Sequence, residues 1–238
     1  MLALLSPAKT LDLTPISNAI LASKPALLKQ TKTVVKELQK LSYAQLKSLL
    51  GVSDNLARLN YDRYKEFHKQ ADKQAAFTFM GPAFQCLDAK SMSPDDLEFA
   101  QSHLRILSGV YGILRPCDLV KPYRLDMGKK LKVGDGVGMY QFWGTKLAEQ
   151  INKEMPSATP STARKKAKKE SKSSVAPVQF VLNCASTEYS KSVVRDALDV
   201  PVIDCIFKVS SVNNQSMPIL QYSSITMISV QWPTPTAR

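Results

Sequence analysis

Residues 103–128 read HLRILSGVYGILRPCDLVKPYRLDMG, and they restrict the folds open to this chain more than any other stretch. Arg105, Arg115, Lys121 and Arg124 fall in it with Tyr111 and Tyr123, and Gly109, Gly112, Pro116 and Pro122 interrupt it. A continuous helix does not tolerate such a density of Gly and Pro. A flexible basic tail does not carry so many apolar residues. The pattern predicts a helix end anchored by Leu104, Ile106 and Leu107 and stopped by Gly109 and Gly112. Arg115 and Lys121 each precede a proline, which keeps them out of the helical region. Arg115, Lys121 and Arg124 are then presented from a stiff loop, with little entropy left to lose on meeting an anion.

The flanking chain alternates buried strands with amphipathic helices. LALL (2–5) reads as a buried strand that runs into the polar loop SPAKT (6–10). Residues 26–41 place Leu27, Leu28, Val34, Val35, Leu38 and Leu41 on one helical stripe. Ser42 followed by Gln45 predicts a capping box, and Gly51 a helix stop. A third helix over 54–70 is expected to turn Leu56, Leu59, Tyr64 and Phe67 inward. AFTFM (76–80) is a candidate strand. Ser93-Pro94-Asp95-Asp96 supplies an N-cap, a proline at the first helical position and acids in the first turn. MYQFWGTK (139–146) reads as a strand or turn before a helix. After a Pro/Ser/Lys-rich insertion at 155–176 come a buried strand (178–186), a helix (188–198) and a strand (200–207). SITMISVQW (224–232) has the composition of one further strand.

Charge narrows the partner class. The formal net charge is +12, part of it in ARKKAKKESKSS (163–174). The rest of the chain still has more cations than acids, which suits a polyanion such as nucleic acid. The four cysteines lie in apolar surroundings with no C-x-x-C pair, and there are only two histidines, far apart. Buried thiols in a reducing compartment follow, with no disulfide framework, no metal site and no cofactor expected. No apolar run approaches a membrane span and the start has no cationic leader, so a soluble intracellular protein is expected.

Several stretches can carry chemistry. LKSLLGVSDNLARLN (46–60) has the form of a helix-hairpin-helix, with Gly51, Val52 and Ser53 as the turn. Such a turn exposes amides and a helix N-terminus to an anion, and Arg58 and Arg63 would reach flanking phosphates. Ser53 in place of a second glycine and the acid Asp54 weaken the pattern, and an ordinary αα-hairpin is the plain alternative. Ser6, Lys9 and Thr10 fall just past the carboxyl end of the first strand. Asn183, Ser186 and Tyr189 do the same after the later one. If those strands are parallel neighbours, the two loops share one ligand-binding edge; helix capping by Ser186 or Thr187 is the alternative. Tyr140, Phe142 and Trp143 form an aromatic cluster, read either as core packing or as base stacking. The run Arg164 to Lys169 is either a nuclear address or a solvated insertion.

LLSPAKTLD, LLGVSDNLARLNYDRYKEF, FAQSHLRILSGVYGILRPCDLVKPYRLDMGKKL, MYQFWGTKL and VLNCASTEYSKSV together resemble the YaaA peroxide-stress family. The resemblance covers 1–153 and resumes at 178–208. It implies an α+β (mixed α/β) fold, a single domain with a helix-hairpin-helix and a positively charged cleft. It also implies a cytoplasmic protein that protects cells from hydrogen peroxide by keeping free iron low, and nonspecific binding to double-stranded DNA. The chain departs from the family at FMGPAF (79–84), where Pro82 and Phe84 replace an acid and a tyrosine. It departs again after Lys208, where a basic C-terminal motif is missing, so 209–238 reads as a divergent or truncated tail. The domain plan is then 1–154, an insertion at 155–176, a continuation at 177–208 and the tail. The expected DNA contacts are Gly51, Val52, Ser53, Arg58, Arg63, Arg105, Arg115, Lys121 and Arg124. The expected cleft is Ser6, Lys9, Thr10, Tyr123, Tyr140, Trp143, Asn183, Ser186 and Tyr189. Two alternatives stand beside DNA binding. One is an enzyme acting on a nucleotide or nucleic acid, with Lys9 or a tyrosine moving the proton. The other is a folded chain without activity.

Overall fold

A computed structural model describes residues 1–16, 21–155, 179–207 and 225–231. The insertion beyond Met155, with its basic run, and residues 208–224 lie outside the described residues. In chain order the strands are β1 (Leu2–Leu5), β2 (Thr10–Leu11), β3 (Lys73–Gln74), β4 (Phe79–Met80), β5 (Leu104–Ser108), β6 (Gly112–Leu114), β7 (Leu119–Val120), β8 (Lys132–Val133), β9 (Gly136–Val137), β10 (Val181–Asn183), β11 (Val202–Phe207) and β12 (Ile225–Gln231). The helices are α1 (Leu28–Lys40), α2 (Tyr43–Leu50), α3 (Asp54–Lys65), α4 (Ala75–Thr78), α5 (Pro82–Leu87), α6 (Pro94–His103), α7 (Met139–Trp143), α8 (Lys146–Glu154) and α9 (Thr187–Ser190). The architecture is α+β. One six-stranded mixed sheet runs β12-β11-β10-β1-β5-β6, and β2–β4, β3–β7 and β8–β9 form small satellite pairs. Among the described residues no helix is long and apolar enough to cross a membrane.

The centre of the sheet is β1, parallel to both β10 and β5. Leu2 and Leu4 are buried there, and all five residues of β5 are buried. A strand buried on both faces needs an unbroken apolar run, which LALL provides. Helix α1 buries Thr31, Val34, Val35 and Leu38, close to the predicted stripe. Both predicted caps form: Ser42 with Gln45, and Ser93 with Asp96, each as a reciprocal capping box. Gly51 ends α2 in the left-handed conformation at φ 61°.

The tertiary structure overrides the sequence pattern in several places. The helix expected to run to Gly109 stops at His103, and Leu104–Ser108 is a strand. Gly109 and Gly112 instead flank the tight turn that joins β5 to β6, with Ser108 opposite Gly112. A short apolar run buried on both sides has no periodicity that tells strand from helix; here β1 and β6 supply the pairing. Helix α3 buries Ala57, Asn60 and Tyr64 and leaves Leu56 and Leu59 exposed at 45% and 44%. Its rotation is set by anchors outside it: the Tyr64 hydroxyl donates to the Arg124 carbonyl, and Gln39 donates to the Tyr64 carbonyl. AFTFM divides into α4 and β4, MYQFW is the helix α7, and the helix expected over 188–198 shrinks to α9 and a 3-10 turn at Arg195–Ala197. The strand expected over 224–232 forms as β12, antiparallel to β11.

An acid clamp holds the loop after β2. The Asp12 carboxylate accepts the Thr14 N–H at 2.9 Å and meets Lys90 at 3.0 Å and Lys73 at 3.4 Å. The Thr14 N–H, the largest cause, and Lys90 hold its carboxyl far below the usual carboxylate range. A carboxyl depressed in the folded state stabilises above its unfolded pKa and loses that contribution as pH falls through the folded value. Asp12→Asn should therefore lower stability by about 1 kcal/mol at pH 7. That difference should shrink as acid protonates the wild-type group, which paired thermal melts at neutral and strongly acidic pH would show.

Candidate functional site

The connections leaving β1 and β10 run in opposite directions, β1 toward β5 and β10 toward β11. In an open α/β sheet this is the switch point, where a crevice opens at the carboxyl ends of the strands. The parallel pairing on which the two-loop expectation depended is present, and the loops meet directly. The Ser6 hydroxyl accepts the Ser186 N–H at 2.9 Å and donates to the Ser186 hydroxyl at 3.1 Å. Lys9 and Thr10 are exposed beside them. Asn183 does not face the crevice as a free amide. It bonds the Asp204 carboxylate at 2.7 Å and the Ala185 N–H at 3.1 Å, and so shapes the loop after β10. Arg195 grips the same carboxylate in a two-pronged pair and, with Asn183, lowers its pKa.

The tyrosines and the tryptophan of the expected cleft have other tasks. Tyr123 is buried, 2.6 Å from the Ser108 hydroxyl, and burial pushes its phenol well above its ordinary value. Tyr189 is buried, and desolvation raises its phenol as well. Neither is poised to move a proton near neutral pH. Trp143 is fully buried, and its indole N–H donates to the Gly109 carbonyl at 3.1 Å. Base stacking by Trp143 is thereby excluded: of the aromatic cluster, Trp143 is core and Phe142 is partly buried. Tyr140 stays exposed at 37% and donates its hydroxyl to the Glu188 carbonyl.

The cations of the opening stretch are each matched to an acid. Arg105, with only 4% of its side chain exposed, pairs with Glu154 and also donates to the Gln101 and Leu104 carbonyls. Arg115 pairs at 3.1 Å with Asp118, which is buried. Lys121 pairs at 3.1 Å with Asp72 and donates to the Gln70 carbonyl. Arg124 lies 3.5 Å from Asp126, and its Nε has no hydrogen-bond partner. The segment that looked like a phosphate-gripping wall is a charge-neutralised brace, buried at Arg105 and partly exposed at Arg115, Lys121 and Arg124. Arg105 in particular is corrected from a surface contact to a buried ion pair.

Among the described residues, cations without a carboxylate partner lie elsewhere, among them Lys29, Lys32 and Lys36 on α1 and a group beside the α2–α3 hairpin. Gly51, Val52 and Ser53 form that turn, and Ser53 makes no side-chain cap. The first N–H groups of α3 therefore lack intrahelical partners. Asp54 is held aside by the Tyr43 hydroxyl at 2.6 Å and Lys47 at 2.8 Å, and its carboxyl is lowered mainly by the Lys47 bond. The Arg58 guanidinium stacks 4.0 Å above the Tyr43 ring. Arg63 is half-buried where Arg58 is exposed, so it is the less available of the two arginines. The Lys129 ammonium comes within 3.4 Å of where a Cβ on Gly51 would sit. Lys130 and Lys132 are exposed and line a groove against α2 with Gln45 and Ser48. Among the described residues, Arg58, Lys129, Lys130 and Lys132 have no carboxylate partner. Lys129 and Lys130 end the basic segment 105–130 that was expected to meet phosphate, and Lys132 lies beyond it. They follow the opening stretch directly, but only the fold sets them against the turn.

Residues 124–130 connect the two regions. The Gly128 N–H donates to the Glu188 carboxylate at the crevice, and the next residue, Lys129, reaches the Gly51 turn. Among the described residues no group of three or more His, Cys, Asp or Glu side chains is placed to hold a metal ion.

Comparison with known proteins agrees with the motif resemblance. The family described as "Peroxide stress protein YaaA" matches residues 1–223, extending past Lys208. A UPF0246 protein of Burkholderia mallei (strain SAVP1) is 38% identical over 212 residues, covering 87% of this chain and 75% of the relative. A UPF0246 protein of Maricaulis maris (strain MCS10) is 40% identical over 210 residues, covering 87% and 73%. The contiguous match and these identities together establish that the chain belongs to the YaaA peroxide stress protein family.

Proposed function

We propose that this chain, a member of a peroxide stress family, serves that role by binding duplex DNA without sequence preference. The observation that supports the reading is a group of cations without carboxylate partners beside the α2–α3 hairpin: Arg58 over the Tyr43 ring, Lys129 at the Gly51 turn, and Lys130 and Lys132 along α2. Amides at a helix start and point charges around them suit phosphate oxygens, not base edges. Arg115, Lys121 and Arg124 contribute by stiffening the segment that delivers Lys129. DNA covered in this way is shielded where ferrous iron and peroxide would otherwise generate hydroxyl radical.

Reversing Arg58, Lys129 and Lys130 to Glu together should weaken duplex affinity by at least about 100-fold at moderate salt and flatten the salt dependence by roughly three counterions. Fluorescence anisotropy across a salt series reads both. A folded triple variant with unchanged affinity and slope sinks the proposal.

The switch-point crevice supports a second reading, a small anionic ligand bound between the Ser6 and Ser186 loops beside Lys9. A nucleotide that stabilises the wild type but not Lys9→Ala in a thermal-shift screen would favour it.

A further inference from the structure

β10 and β11 run parallel, with Asn183 opposite Asp204. The next residue on each strand is a cysteine, and the sulfurs of Cys184 and Cys205 are 3.6 Å apart, in van der Waals contact. Both are free thiols and both are only partly buried. Neighbouring strands lie about 4.8 Å apart, inside the Cα separation of about 4.4–6.8 Å that a disulfide spans. Bond formation needs the sulfurs to close from 3.6 Å to bonding distance. Cys86 is exposed and Cys117 is buried, its thiol pushed up to about 11 by burial and then by Asp118.

We propose that Cys184 and Cys205 are a peroxide-modifiable pair, converted by a hydroperoxide into a disulfide that latches β10 to β11 at the crevice edge. This does not rest on the DNA reading. Burial, then the hydrogen bond to Cys205, push the Cys184 thiol up to about 12. One sulfur of the pair, as thiolate, attacks a peroxide oxygen, the O–O bond breaks, a sulfenic acid forms, and the second oxygen leaves as water after taking a proton. The sulfur of the other cysteine then attacks the sulfenic sulfur. The S–O bond breaks, the hydroxyl leaves as water with that thiol's proton, and the S–S bond forms. Two thiols are oxidised and one peroxide is reduced to two waters.

The location gives the latch a consequence. The Cys184 N–H donates to the Leu4 carbonyl, and Ser186, two residues on, bonds Ser6. A bridge at Cys184 stiffens the loop that forms one side of the crevice.

The test is peptide mass mapping of the full chain under non-reducing conditions, before and after graded hydrogen peroxide. The expected result is a Cys184–Cys205 crosslinked peptide, loss of two free thiols and two hydrogen masses, reversal by dithiothreitol, and a higher melting temperature for the oxidised form. In at least one of Cys184→Ser and Cys205→Ser, the remaining cysteine of the pair should stop at a sulfenic acid that dimedone traps, and neither variant should form the bridge. Oxidation of Cys86 with Cys184 and Cys205 still reduced overturns the proposal, as does a bridge that includes Cys86.

Discussion

Gly109→Ala is expected to destabilise the fold markedly more than Gly136→Ala. A Cβ at this position would lie 2.2 Å from the Leu125 carbonyl oxygen and 3.0 Å from its carbon. Those are backbone atoms, which have no rotamer to retreat into. The glycine sits in the β5–β6 turn exactly where the braced segment 121–126 crosses it, and its own carbonyl accepts the Trp143 indole N–H. Relieving the clash would require the turn to lift off the brace, which would break that bond and open the packing of Trp143. The cost is about 3 kcal/mol or more, or a fall in melting temperature of roughly 10 °C for a chain of this size. Gly136→Ala is the matched control. Its Cβ would meet only the flexible Gln141 side chain, at 3.4 Å, and should change the melt little. A Gly109→Ala protein that melts with the wild type would show that the crossing is looser than described.

Arg105→Ala carries the second large effect, and it separates a structural role from a DNA-contacting one. The guanidinium is buried on β5, paired with Glu154 at the end of α8 and bonded to two carbonyls. Removing it strands a partly buried carboxylate and two acceptors at once. Breaking one side of a buried pair costs about 3–5 kcal/mol, mostly through the partner left uncompensated. Removing Glu154 as well should recover part of the loss, so the double variant Arg105→Ala/Glu154→Ala should be more stable than the sum of the singles. Chemical denaturation of the four proteins measures this coupling. Duplex affinity of the folded fraction should stay at the wild-type level, unlike that of the Arg58/Lys129/Lys130 triple. A variant that melts normally but loses DNA would return Arg105 to the list of phosphate contacts.

These two positions show where sequence reasoning stopped. Gly109 was legible as a special residue, but its assigned task, ending a helix, was wrong. What it actually allows is a close approach to Leu125, sixteen residues on, and nothing in the local sequence encodes that proximity. Arg105 was legible as a cation in a basic stretch, and its burial was not. The same limit applies to α3. The residues Leu56 and Leu59 form a sound apolar pair, yet the anchors at Gln39 and Arg124 turn the adjacent Ala57–Asn60–Tyr64 face inward. Of the candidate site, the meeting of the Ser6 and Ser186 loops was readable as a condition, and the parallel pairing of β1 and β10 met it. Lys129 and Lys130 were readable as the end of a phosphate-contacting segment and Lys132 only as a charge, none of them with a place against α2.

What the sequence determined by itself is local or contiguous. The capping boxes at Ser42 and Ser93, the left-handed stop at Gly51, the apolar stripe of α1, the buried strand in LALL and the family follow from neighbours within a few residues or from unbroken motifs. The tertiary structure alone decided which cations are free. Arg105 finds its acid at Glu154 and Lys121 at Asp72, while Lys129, following in the same run of chain, finds only the Gly51 turn. Charge pairing depends on separation in space and on loss of water, and neither is a function of separation along the chain.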